Sequence, residues 1–322
     1  MSCIKLVSKG SYFVGGNKIT LSGGEPIRMR YWAGGPELTY DPNGDFQAGQ
    51  MYIQYNRLED PVLPYPVCMI HGGGGTGAIW ESTQKGSPGW EFMFLRNGFN
   101  VNLSDGTERG RASWAQFPEI NTVPPVFNSY AERWTTYRLG EKLWEPYKGS
   151  RFDIDKYDDF IKQQVPRWTT SIPIAQNAYD QYVNSMNEGC ILLAHSQGGL
   201  FALNAAHANY KNVKAIILIE SSSTMDVSKT DVSVFKDIPF LFVWGDFLGD
   251  EYCNENYRWI GDFAFRGTMA NLHNRLLEIG ANSTWLHLPK VGINGNTHAM
   301  MVEDNSQQIA DIICKWIKDN VC

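Results

Sequence analysis

Short apolar runs recur along this chain, each bounded by glycine, proline or polar residues. They are Val67 to Ile70, Phe99 to Leu103, Cys190 to Ala194, Val213 to Ile219, Pro239 to Trp244 and Ser283 to Leu288. Their length predicts strands, and stretches with helical spacing alternate with them: Gly89 to Asn97, Ala175 to Met186, Leu200 to Asn209, Thr268 to Ile279 and Asn305 to Asp319. The runs AIILI and FLFVW are continuous rather than alternating, as expected of strands buried on both faces. Strand-helix alternation of this kind predicts an α/β fold, a mostly parallel central sheet with helices on both faces. The first part of the chain is turn-rich, with SYFVGG, NKITL and MYIQYN (Met51 to Asn56) as separate β-like pieces.

Between about Thr107 and Pro173 the apolar periodicity weakens and aromatics cluster: Trp114, Phe117, Phe127, Tyr130, Trp134, Tyr137, Trp144, Tyr147, Phe152, Tyr157, Phe160 and Trp168. This segment reads as an insertion over the carboxyl edge of the sheet, where open α/β sheets place ligands. The expected organisation is therefore a core of residues 1–106 and 174–322 and a cap of residues 107–173. So many aromatics in a cap suggest an apolar or aromatic substrate pocket, with Trp114, Trp134 and Trp168 as candidate contacts. Arg109 and Arg111 are candidate anion contacts, with structural pairing as the blander reading.

Composition narrows the classes. The chain has 322 residues, 43% hydrophobic and 19% charged, with a net charge of −6. That is an ordinary soluble enzyme with no electrostatic reason to bind nucleic acid or an anionic membrane. No apolar run approaches the ~20 residues that span a bilayer. The start MSCIKLVSKGSYF lacks a leader's apolar core, so the expected location is cytoplasmic, or secreted with the leader removed. The six cysteines show no close metal-type pairing; Cys314 and Cys322 could bridge the C-terminal end. A homodimer is compatible with all of this.

The chemistry centres on AHSQGG, Ala194 to Gly199, which joins a strand to a helix. A serine at the apex of such a turn is held clear of the sheet, and small residues two positions away on each side, Ala194 and Gly198, let strand and helix approach. Ser196 is the candidate nucleophile. It needs a base, and His298, in the polar loop GINGNTHAMM before the last helix, is the candidate. His195 neighbours the serine, His71 opens a glycine loop, His207 and His273 lie in helices, and His287 lies in the last strand. The third member must accept from the other ring nitrogen. Glu220, ending the strand Val213 to Ile219, and Asp246, following the strand that ends at Trp244, both qualify by position. HGGGG (His71 to Gly75) lets the backbone approach a reacting carbonyl, so the N–H groups of Gly72, Gly73 and Gln197 are candidate oxyanion donors. No Gly-Lys-Ser/Thr makes a phosphate loop and no histidine pair has zinc-ligand spacing, so neither metal nor other cofactor is expected.

These landmarks resemble the α/β-hydrolase superfamily and, more narrowly, a small group of bacterial carboxylesterases that carry glutamate as the triad acid. The match rests on YFVGG, IHGGGGTGAIWESTQKGSPGWEFMFLRNGF, RGRAS, LLAHSQGG, IILIESSS, IPFLFVWGD and GINGNTHAMMVEDNSQQIADIICKWI. It implies Ser196 as nucleophile, His298 as base and Glu220, rather than Asp246, as acid. Members of that group can carry two adjacent cysteines where this chain has Gly73 and Gly74, which implies a less rigid oxyanion loop here. The reading is a serine hydrolase of carboxylic esters, with a small-molecule ester as its partner. The rivals are non-hydrolytic use of the same residues (acyl transfer, lactone chemistry, a lyase or isomerase) and a non-catalytic binding module.

Overall fold

The computed structural model describes residues 3–114, 121–222, 224–252 and 259–321. Phe117, Cys253 and Cys322 fall outside them. Strands β1 (Leu6–Leu21), β4 (Gly44–Leu58), β5 (Val67–Ile70), β6 (Val101–Asp105), β7 (Cys190–His195), β8 (Val213–Ile219), β9 (Phe240–Trp244) and β10 (Ser283–His287) form one sheet in the order β1-β4-β6-β5-β7-β8-β9-β10. From β6 to β10 all pairings are parallel, while β4 runs antiparallel to both β1 and β6. A small hairpin of β2 (Ile27–Met29) and β3 (Leu38–Tyr40) joins the first two long strands.

The N-terminal pieces differ from expectation. SYFVGG and NKITL belong to a single strand, β1, paired with β4 along its length. Gly15 and Gly16 have φ of 71° and 83°, the left-handed region, and a Cβ on Gly15 would lie 2.8 Å from Ala178 Cβ. Those glycines let the strand bend under a packed helix; they do not end it.

The helices are α1 (Trp90–Arg96), α2 (Tyr130–Thr136), α3 (Tyr157–Ile161), α4 (Ile172–Asn184), α5 (Gly198–Ala208), α6 (Met269–Glu278) and α7 (Ser306–Asn320). A π-helical segment, Trp259–Thr268, leads directly into α6. Alternate residues of the central strands serve opposite cores. Val67, Met69, Ile191, Leu193, Ile217 and Ile219 pack on the side of α1 and α7; Cys68, Ile70, Leu192, Ala194, Ile216 and Leu218 pack on the side of α4, α5 and α6. Two covered faces explain the unbroken apolar runs, and each buried large aliphatic side chain contributes about 1.5–3 kcal/mol.

Most of the aromatic segment is packing. Trp134, Tyr137, Phe152, Tyr157 and Phe160 are buried and continuous with the α1 and α7 core, whereas Trp114, Phe127, Tyr130 and Trp144 are exposed. Arg111 is a structural arginine: it bonds Asp105 at 2.7 Å and lies over the Tyr52 ring. Cys314 is a free, buried thiol. Among the described residues no helix is long and apolar enough to cross a membrane.

The strand order also fixes where chemistry can happen. After β5 the chain moves outward to β6, then returns to place β7 on the other side of β5. The connections therefore diverge between β5 and β7, and the crevice beyond their carboxyl ends is the expected ligand site. HGGGG follows β5 and Ser196 follows β7.

Candidate active site

Ser196 sits at the β7–α5 turn with φ of 53°. A non-glycine residue held there costs about 1–3 kcal/mol and persists only where its surroundings impose it. They do so here. A Cβ on Gly198 would fall 2.6 Å from the His71 carbonyl oxygen, and one on Gly199 only 1.9 Å from Ser221 Oγ. The Ser196 carbonyl is held by Gly199 N–H at 3.0 Å and Ser222 N–H at 3.3 Å.

Glu220 also has a positive φ, 43°, where the chain leaves β8. Its carboxylate is fully buried and saturated with donors: His298 Nδ1 at 2.6 Å on Oε2, Arg138 Nη1 at 2.7 Å on Oε2, Arg138 Nη2 at 2.5 Å on Oε1 and Gly245 N–H at 2.8 Å on Oε1. Burial alone would raise this carboxyl; the Arg138 guanidinium and the bond from His298 outweigh it and hold the group at about 2. The ionised carboxylate thus takes the Nδ1–H of His298, leaving Nε2 as the imidazole lone pair. Burial, with Arg138 and Arg133 nearby, pushes His298 below its ordinary 6.5 despite the opposing Glu220. A base works in its neutral form. The acid limb of kcat/KM is therefore expected below pH 6.5, and Arg138→Met is expected to move it upward, because a cation disfavouring imidazolium is removed; a pH-rate profile of both proteins checks this.

Asp246 does different work. Its Oδ2 accepts from Gly295 N–H and its Oδ1 from Phe247 N–H, both at 2.8 Å. It shapes the loop that carries His298 and does not touch the imidazole ring. That loop is pinned again by buried Glu303, which accepts from Thr297 N–H at 2.9 Å, Thr297 Oγ1 at 2.5 Å and Asn296 Nδ2 at 2.7 Å. Burial raises the Glu303 carboxyl to about 7. His298 N–H donates to the Tyr137 carbonyl at 3.1 Å, and His195 Nε2 donates to the His298 carbonyl at 2.9 Å. The His195 ring lies 4.5 Å from that of His298 and props it in place.

The glycine loop lies against the serine. A Cβ on Gly72 would fall 3.0 Å from Ser196 Cβ and 2.9 Å from His195 Nδ1; one on Gly73 would fall 2.9 Å from Gln197 Oε1. The loop is well tied even without cysteines. Arg133 donates to the carbonyls of Gly73 and Gly74 at 3.2 and 3.1 Å, Val165 N–H to Gly74 at 3.0 Å, and His71 Nδ1 to Gly72 at 2.8 Å. Gly72→Ala is expected to lower kcat by about 10²-fold or more, by displacing an oxyanion donor while the serine remains; steady-state kinetics beside a melting curve would separate this from unfolding.

Ser196 and His298 share one cleft of about 370 Å³ with Gly73, Asn128, Arg133, Thr136, Tyr137, Arg167, Gln197, Ser222 and Phe263. No family model matches the chain. A bacterial esterase solved at atomic resolution superposes on 100% of this chain and 98% of its own, with a TM-score of 0.84 and 26% identity. This chain has the α/β-hydrolase fold. A probable secreted lipase from a fungal species (strain ATCC 74256) is 24% identical, aligning over 88% of this chain and 90% of its own.

In this α/β-hydrolase fold the three candidate tryptophans occupy three different places. Trp134 is fully buried in the core, Trp114 is half exposed and packs at a tilt against Trp168, and Trp168 lines a small neighbouring cavity with His71, Gly72, Arg109, Gln197 and Phe201, so two candidate oxyanion donors border it. None of the three is among the residues lining the Ser196 cleft, where polar side chains, two arginines among them, share the wall about equally with apolar surface. Part of the aromatic richness, Trp134, Tyr137, Phe152, Tyr157 and Phe160, fills an insertion that has little regular structure of its own. Arg138, Arg133, Gly245 and Glu303 escaped the sequence reading. Gly245 is required because a Cβ there would lie 2.8 Å from Glu220 Oε1, a reason invisible without the fold.

Proposed function

We propose that this protein is a serine ester hydrolase that works through an acyl-enzyme on Ser196. The observation carrying the reading is the buried Glu220–His298 bond, with the histidine in the same cleft as a serine at an elbow turn. Ser196 Oγ attacks the ester carbonyl carbon while its proton passes to His298 Nε2. Glu220, kept ionised by Arg138, stabilises the imidazolium. The N–H groups of Gly72, Gly73 and Gln197 receive the developing oxyanion. His298 then protonates the leaving alcohol, and water repeats the sequence on the acyl-enzyme to release the acid. Residues 107–173 serve as a cap that contributes Arg133, Tyr137, Arg138 and Arg167 to the site. Of the two expected compartments, the relative's designation as secreted favours export.

The test is a fluorophosphonate probe together with short p-nitrophenyl esters. Adduct formation mapped to Ser196 with ester turnover is the expected result. Labelling without turnover would favour acyl transfer or another non-hydrolytic outcome. Neither, in folded protein, would overturn an enzymatic role for this serine.

A further inference from the structure

Among the described residues the Ser196 cleft is lined by two guanidinium groups, Arg133 and Arg167, and by no carboxylate. That is unexpected in a chain of net charge −6. The nearby acid, Glu220, is already matched by Arg138 and by His298. The two cleft arginines differ in how far they are committed. Arg133 donates to the Gly73 and Gly74 carbonyls and lies over the Tyr137 ring at 4.6 Å. Arg167 exchanges two backbone hydrogen bonds with Val126, at 2.7 and 3.0 Å, but among the described residues its guanidinium has neither an ion pair nor a hydrogen bond. It is nevertheless partly buried and stands beside the candidate oxyanion loop: Nη1 would lie 3.6 Å from a Cβ on Gly73.

A partly buried cation without a counterion is costly, and a second cation beside it adds to the cost. Burial and Arg133 both push Arg167 below its ordinary value, which is the signature of that frustration. Folding does not need such a group, since a neutral residue would fill the same wall at less expense. A ligand anion would turn the cost into a charge-assisted, two-pronged contact of the kind guanidinium makes with carboxylate.

We propose that Arg167 is a specificity residue and that the substrates are anionic esters carrying a free carboxylate near the scissile bond. This rests on the ester-hydrolase reading. The carboxylate can belong to the acyl half, as in a monoester of a dicarboxylic acid, or to the alcohol half, as in an ester of a hydroxy acid. The recognition chemistry is the same, and two substrate pairs distinguish them.

For the acyl half, kcat/KM is compared for p-nitrophenyl hemisuccinate and p-nitrophenyl butyrate. For the alcohol half, the acetyl esters of 4-hydroxybenzoate and 4-hydroxybenzamide are compared. Each rate is corrected for its uncatalysed background. The expected result is a preference of about tenfold or more for the charged member of one pair, the size of one charge-assisted contact. It should shrink at high ionic strength, collapse in Arg167→Met and survive in part in Arg167→Lys. Wild type alone is decisive should a variant misfold. Turnover of neutral esters with no preference for either charged partner overturns the proposal and leaves the hydrolase reading standing. Absence of turnover for all four esters overturns both.

Discussion

Ser196→Ala is expected to abolish ester turnover, by about five to six orders of magnitude in kcat, because nucleophile and base act as one unit and removing either forfeits nearly the whole covalent route. The fold should survive. What the turn takes from residue 196 is its backbone: the carbonyl accepts from Gly199 N–H and Ser222 N–H, and the N–H donates to Ile219 at 3.0 Å. Alanine keeps all three bonds and tolerates a φ of 53° no worse than serine does. Unchanged melting beside lost turnover is therefore the expected pair of measurements. Persistent turnover in this variant would mean that another group attacks the ester. Arg133 and Gly72 bear on the same question, since a cleft that retained its oxyanion donors would still accelerate attack by water, by roughly 10³- to 10⁴-fold over solution.

How far the sequence foretold this site depends on what kind of residue is considered. Ser196 and the glycine loop lie where a strand gives way to a turn, and His298 lies in the glycine-punctuated loop before the last helix; such chemistry is written locally in glycine spacing and flanking apolar runs. β5, β7 and β8 were legible for the same reason, being buried on both faces without interruption. The residues that tune the site were not legible. Arg138 sits 82 positions from Glu220 in a stretch without periodicity, and its backbone is itself left-handed, with φ of 55°. Nothing local marks it as the partner of a buried carboxylate. Glu303 looked like one more acidic residue before a helix, yet it carries the hydrogen bonds that shape the His298 loop. The tryptophans pose a different problem. A large aromatic on an irregular segment can line a pocket or fill a void, and sequence alone does not distinguish the two; Trp134, fully buried, fills a void.

The choice between Glu220 and Asp246 gives the second large effect. Glu220→Gln is expected to lower kcat by about 10⁴-fold, since an amide no longer holds the Nδ1–H tautomer or stabilises the imidazolium. Asp246→Asn should cost far less in the chemical step, because Asp246 bonds the backbone of the His298 loop; the amide oxygen can accept from only one of Gly295 N–H and Phe247 N–H, so a loss of stability is expected before a loss of chemistry. A larger kcat loss in Asp246→Asn would overturn the assignment. Glu220→Gln carries a second consequence that the triad alone does not foresee. It strips Arg138 of its counterion while leaving the guanidinium 5% exposed, and an unmatched buried charge costs about 3–5 kcal/mol. The single variant should therefore be both inactive and markedly less stable. Adding Arg138→Met removes the stranded cation, so the double variant should regain stability while staying inactive. If stability and activity returned together, the activity loss in Glu220→Gln would have been structural, and the carboxylate would have no role beyond pairing with arginine. Recovery of the melting transition without recovery of kcat assigns Glu220 two separable tasks: orienting His298 and neutralising the arginine that holds it ionised.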